Sequence, residues 1–142
     1  MILKAEVSHL AGLALLLRAM YKELFPDHAV DDINVYISEM VKNFNCPKTT
    51  TYVDDYFRGF FQVRDETEAM TPTCKRYHGI RVYIIPEERK GRLLKEFYDR
   101  LFTDFPDGDI IGVTEITSEH IAVLEKRHKR IANMYVLNRG TR

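Results

Sequence analysis

Apolar residues recur early in the chain at Leu10, Leu13, Leu17, Tyr21 and Leu24, the three-and-four spacing that lines one face of an α-helix. Ser8 can cap that helix and Pro26 can stop it after Phe25, and the run Ile2 to Val7 before it reads as a short strand. A second stripe, Ile33, Ile37, Met40, Val41 and Phe44, starts after a cap at Asp31 and closes at Asn45 and Pro47. A one-sided apolar stripe needs a surface to cover, so both helices call for a sheet.

That sheet follows in sequence. Thr49 to Val53 is β-branched and aromatic, Asp54-Asp55 is a turn, and Tyr56 to Arg64 returns, which predicts a hairpin. Gly59 interrupts the returning strand and marks a bulge or a close approach by another group. After a polar stretch over 64–73, Arg76 to Ile85 reads as the central strand, ended by Pro86. A loop with Arg89-Lys90-Gly91-Arg92 then opens a helical stripe of Leu94, Phe97, Leu101 and Phe102, stopped around residues 105–108. The Ile- and Val-rich run Asp109 to Ile116 completes a strand–helix–strand unit, which requires its two strands to be parallel. Thr117 or Ser118 caps a last helix to about Lys129, and Ile131 to Leu137 gives a final strand.

The length of 142 residues suits a single domain over 1–142, and 45% hydrophobic with 30% charged residues is a globular balance. Lys plus Arg equals Asp plus Glu at 21 each, so no long-range field draws the chain to nucleic acid or to anionic lipid. Cys46 and Cys74 lack metal or redox spacing and read as a reduced, intracellular pair, so no metal is expected. The apolar run Leu10 to Leu17 is too short to span a bilayer and lacks signal-peptide flanks, which points to a cytoplasmic protein without membrane partners. The charged stretch Glu125 to Arg130 reads as a solvated helix end, since no aromatic stacking series accompanies it.

The element order resembles the GNAT N-acetyltransferase superfamily over nearly the whole chain. Thr51 to Phe60 is similar to the hairpin in which that family places a glycine early in the third strand, and Val82 to Leu94 is similar to its acetyl-CoA segment. The resemblance implies an α/β (α+β) domain with a central mixed β-sheet flanked by helices on both faces. It also implies acetyl-CoA as cosubstrate, a small-molecule or peptide amine as acceptor, and direct attack without a covalent enzyme intermediate; it allows a homodimer. The main chain of Val82, Tyr83, Ile84 and Ile85 would orient the acetyl-pantetheine arm. The family's pyrophosphate loop reads Gln or Arg, two residues, Gly, one residue, Gly or Ala. Here Arg92 and Leu94 hold the two small positions in one register and Leu93 holds the second in the other, so the loop is degenerate.

A helix start offers N–H groups without intrahelical partners and partial positive charge, which suits a pyrophosphate. Arg89, Lys90 and Arg92 around Gly91 can add side-chain contacts to phosphate. Amine acylation needs a base and usually an acid for the thiolate. Glu115, near a strand's carboxyl end, is the first candidate base, with His78 and Tyr77 as alternatives. Glu66 and Glu68 can face a cationic amine or solvent. Leu124 stands where the resemblance implies an acidic tyrosine, and Tyr135 is the nearest substitute, though its strand position also suits packing. The chain therefore reads as an N-acetyltransferase; the alternative is a catalytically inactive binding or structural protein on the same fold, similar to degenerate copies encoded by phages.

Overall fold

Side chains alternate across a strand, so a sheet buried on both faces needs apolar residues at consecutive positions. Tyr52-Val53 and Phe60-Phe61 supply such pairs, and all four are buried. The computed structural model describes residues 1–67 and 75–107, together with the backbone of 109–112. In chain order these form β1 (Ile2–Lys4), α1 (Leu10–Leu24), α2 (Ile33–Asn45), β2 (Thr49–Asp54), β3 (Gly59–Asp65), β4 (Arg76–Ile84), α3 (Leu93–Asp104) and β5 (Asp109–Gly112). The strands make one mixed sheet in sequential order, antiparallel from β1 to β4 and parallel between β4 and β5.

Val53, Phe60 and Tyr83 pack against Leu13, Leu17, Met20, Tyr36 and Met40, which places α1 and α2 on one face. Tyr52, Phe61, Val63 and Ile84 pack against Leu93, Phe97 and Leu101, which places α3 on the other. The expected mixed sheet with helices on both faces is present, and α3 is the crossover between parallel strands. No helix among the described residues is long and apolar enough to cross a membrane.

Several boundaries differ from the expectation for local reasons. The first strand ends at Lys4, because Glu6 N–H donates to His9 Nδ1 at 2.9 Å and closes a one-turn helix over Val7–His9; α1 then starts at Leu10. Asp32, not Asp31, caps α2 by accepting from Asn34 N–H at 3.0 Å. Leu93, not Leu94, is the buried leucine at the start of α3, and Phe102 is exposed. Strand β4 ends at Ile84 and, among the described residues, lies between β3 and β5. The helix expected to end near Lys129, the strand to Leu137 and the second half of Asp109 to Ile116 lie outside the described residues.

The hairpin turn is longer than Asp54-Asp55 and is built around a buried carboxylate. Asp54 has no solvent exposure and accepts from Arg58 Nε at 2.7 Å and Nη2 at 2.9 Å, and from the N–H groups of Tyr56 and Arg58. Burial alone would raise its pKa, but the Arg58 bonds outweigh that and hold it down at about 2. Gly59 sits where a Cβ would stand 2.7 Å from the Tyr83 carbonyl oxygen, so the expected close approach is that of β4's own backbone.

Candidate functional site

The site is built on the edge of β4. Gln62 pairs with Arg81 while Val63 pairs with Gly79, which leaves Ile80 as an extra residue, a β-bulge in β4. Before the bulge, Arg76 to Gly79 pair with Asp109 to Gly112 of β5; beyond it, β4 has no described partner on that edge. Ile85 N–H donates to the Arg58 carbonyl at 2.9 Å, on the β3 side. By alternation, Val82 and Ile84 turn their N–H and C=O groups to the opposite edge. Val82, paired with Phe61 of β3, is nonetheless 39% exposed.

Pro86 ends the strand and a one-turn helix over Pro86–Glu88 redirects the chain toward α3. Turn bonds use the N–H groups of Glu88, Arg89 and Gly91, whereas Arg92 provides no side-chain cap for α3. The first intrahelical bond is Glu96 N–H to the Arg92 carbonyl, so the N–H groups of Leu93, Leu94 and Lys95 precede the helical ladder. Lys90 and Arg92 are exposed and make no ion pair with a described residue. A Cβ built on Gly91 would touch only Glu88, at 3.4 Å and beyond, so the chain's own described atoms do not demand glycine there. An uncapped helix start, two available cations and an unfilled position at Gly91 are a donor set that fits a pyrophosphate. Opposing it, Glu87 and Glu88 add negative charge, and Leu93 fills a core position.

Arg89 is engaged elsewhere. Its Nε donates to the Ile84 carbonyl at 2.9 Å, its Nη1 and Nη2 meet the Glu23 carboxylate at 2.6 and 2.7 Å, and its guanidinium lies 5.6 Å from the Tyr83 ring centre. The Tyr83 hydroxyl donates to the same carboxylate at 2.9 Å. The Arg89 bonds, against the opposing effect of burial, keep Glu23 below the ordinary carboxylate range; burial and then Glu23 push Tyr83 up to about 12. A phenol held so high is a poor acid at neutral pH. Glu23 was not legible as a site residue: 66 positions separate it from Arg89, and only the need of Arg89 for a counter-ion hints at it.

Of the candidate bases, His78 lies on β4 opposite Ile111 of β5, with its Nδ1 3.3 Å from Glu66 Oε1. Both side chains are partly exposed, so the imidazole keeps access to solvent and is oriented by a carboxylate. Tyr77 points to the other face, its ring 4.5 Å from that of Phe105, and is a packing residue. Arg81 shares the α2 side with a polar set, reaching Glu39 at 2.9 Å and the buried Gln62 at 3.2 Å. Glu115, Leu124, Tyr135, Glu68 and Cys74 lie outside the described residues.

No protein-family model and no curated protein sequence matches the chain. Solved structures do. A possible acetyltransferase from Clostridium difficile 630 superposes with a TM-score of 0.73 at 16% identity, covering 97% of this chain and 96% of the other. A predicted acetyltransferase from Clostridium acetobutylicum crystallised with acetyl-CoA gives 0.70 at 12% identity, covering 100% and 97%. The aminoglycoside acetyltransferase AAC(6')-Iy, in complex with the bisubstrate analogue CoA-S-monomethyl-acetylneamine, gives 0.68 at 14% identity, covering 98% and 96%. These likenesses establish the fold: that of the GNAT acetyltransferases.

Proposed function

We propose that this protein is an acetyl-CoA-dependent N-acetyltransferase acting on a primary amine of a small molecule. The observation that carries the reading is the bulged edge of β4 at Val82 and Ile84, which has no partner among the described residues on that side and runs into an uncapped helix start flanked by Lys90 and Arg92. Its setting, a fold shared with a protein crystallised with acetyl-CoA and with an aminoglycoside acetyltransferase, supports that use of the edge.

When bound, acetyl-CoA would supply an activated thioester carbonyl. The chain's own part is to hold and deprotonate. Outward main-chain groups of Val82 and Ile84 would align an amide-bearing arm, and the N–H groups of residues 93–95 with Lys90 and Arg92 would take phosphate charge. Tyr83 and Ile85 contribute their position within the sheet rather than free main-chain groups, since Ile85 N–H is bonded to Arg58. His78, oriented by Glu66, would accept the proton that an ammonium must lose before attack. Glu115 is the other candidate for that proton and Tyr135 the candidate acid.

Isothermal calorimetry with acetyl-CoA and CoA, followed by thiol release in the presence of a panel of amines, tests the reading. Heat at micromolar to millimolar ligand and amine-dependent thiol release support it; no heat at millimolar ligand sinks it. One observation favours the alternative of a non-catalytic binding protein: Arg89 is spent on Glu23 and Leu93 occupies the core where a small residue would serve phosphate. A stable partner from the source cell, with no thermal response to CoA, would decide for that alternative.

A further inference from the structure

The Glu23–Arg89 pair ties the C-terminal end of α1 to the loop before α3, and its hydrogen bonds do more than pin a loop. The guanidinium covers the one outward carbonyl at the end of the β4 edge, Ile84 O, while both of its terminal nitrogens face Glu23. Arg89 is thus held by one carboxylate and one carbonyl at the place where the arm of a thioester ligand would run. The two side chains are 40% and 33% exposed, so water and solutes reach the pair. An ion pair at this exposure exchanges partners readily, and although Glu23 already meets Arg89 with both of its oxygens, a pyrophosphate brings more than one negative charge against the carboxylate's one.

We propose that Glu23 sets the affinity for CoA by competing for Arg89: in the free protein it holds the guanidinium over the β4 edge, and the ligand's pyrophosphate draws Arg89 away and uncovers Ile84. This rests on the acetyl-CoA reading above. Glu23 is then a positioning residue that acts through Arg89, and its removal strengthens binding. A purely structural role gives the opposite sign, because loosening the loop weakens binding. Glutamine at 23 keeps an acceptor for the Tyr83 hydroxyl and loses only the charge that retains Arg89.

The test is calorimetry with CoA on the wild-type protein, Glu23→Gln, Arg89→Gln and the double variant, with thermal unfolding to establish that each is folded. Alongside it, the Arg89 Nε–H resonance is followed by ¹⁵N NMR during CoA titration of the wild type. The expected results are a CoA affinity higher by about 3- to 10-fold in Glu23→Gln, as for loss of one competing charged contact. The same substitution has no effect on an Arg89→Gln background, and the Nε–H signal moves as CoA saturates the protein. If CoA binds with equal or lower affinity in Glu23→Gln, or with the Nε–H signal unmoved, the competition is overturned and the transferase reading stands. If neither protein binds CoA, both fall.

Discussion

Asp54 gives the sharpest quantitative handle on the scaffold that holds the site. It is fully buried, and Arg58 closes over it with Nε at 2.7 Å and Nη2 at 2.9 Å. A carboxyl with an ordinary value of 3.8 that titrates at about 2 in the folded protein binds its proton about 2.4 kcal/mol less well when folded. Because the folded pKa is depressed, that stabilisation is complete above about pH 5 and is lost as pH falls from about 4 through about 2. Asp54→Asn removes the charge while keeping the shape. Arg58 is 32% exposed and can be rehydrated, so the expected loss at pH 6 is about 2–3 kcal/mol rather than the larger cost of stranding a fully buried charge.

The assay is urea unfolding of wild type and Asp54→Asn at pH 6 and pH 3, read by far-UV circular dichroism. At pH 3 about half of the linked stabilisation, about 1 kcal/mol, has gone from the wild type, and the asparagine variant has no such titration. The stability difference between the two proteins therefore narrows by about 1 kcal/mol between the two conditions. A difference that stays constant would refute the argument, because it would mean that the Arg58 bonds do not favour the ionised form.

Three further outcomes follow from the same geometry. Gly59→Ala forces a methyl toward the Tyr83 carbonyl at 2.7 Å, a backbone atom that cannot swing aside, and is expected to cost about 1–3 kcal/mol in denaturant unfolding. Tyr52→Phe removes the 2.7 Å bond to Asp104 from a fully buried ring and is expected to cost about 1–2 kcal/mol by the same measurement, with Arg100 still bound to Asp104 at 3.0 Å. On the acetyl-CoA reading, Lys90→Gln together with Arg92→Gln is expected to weaken CoA binding by about 10-fold and to flatten its salt dependence, both read by calorimetry, since exposed charges would carry the phosphate contact.

The elements were legible wherever periodicity was long. The stripe Leu10, Leu13, Leu17, Tyr21 and Leu24 and the β-branched and aromatic runs Thr49 to Val53 and Tyr56 to Arg64 announce helix and hairpin without tertiary information, and the β4–α3–β5 unit follows from its order alone. What sequence could not supply were partnerships across distance. Asp54 reads locally as a turn residue, yet its burial and its hold on Arg58 appear only when the hairpin closes. Arg89 reads as a phosphate contact because its neighbours are basic, whereas Glu23 is brought to it by the packing of α1 on the sheet. The bulge at Ile80 is flanked by Gly79, the last residue paired with β5, and a glycine inside a strand is the one local sign of the point where β4 leaves the β5 register.

Two departures from the family pattern bear unequally on whether the chain can catalyse. Leucine at 124 removes the implied acid, but a thiol ionises near pH 8.5, so its thiolate is a competent leaving group close to neutrality. On the transferase reading, loss of a donor at that position costs at most the part of the barrier that general acid catalysis would supply, about 10²-fold or somewhat more, and Tyr135 stands as the other candidate for the role. The loop before α3 is different in kind. Without a bound pyrophosphate there is no thioester at the β4 edge, and no rate for a base at His78 to accelerate. The family's small residue in that loop is replaced here by Leu93, whose side chain is buried in the core, so on that reading the charge of Lys90, Arg92 and an Arg89 drawn from Glu23 would have to make up the binding. On the transferase reading, competence would therefore turn on the ion pair between Glu23 and Arg89 before it turned on any residue that touches the acceptor.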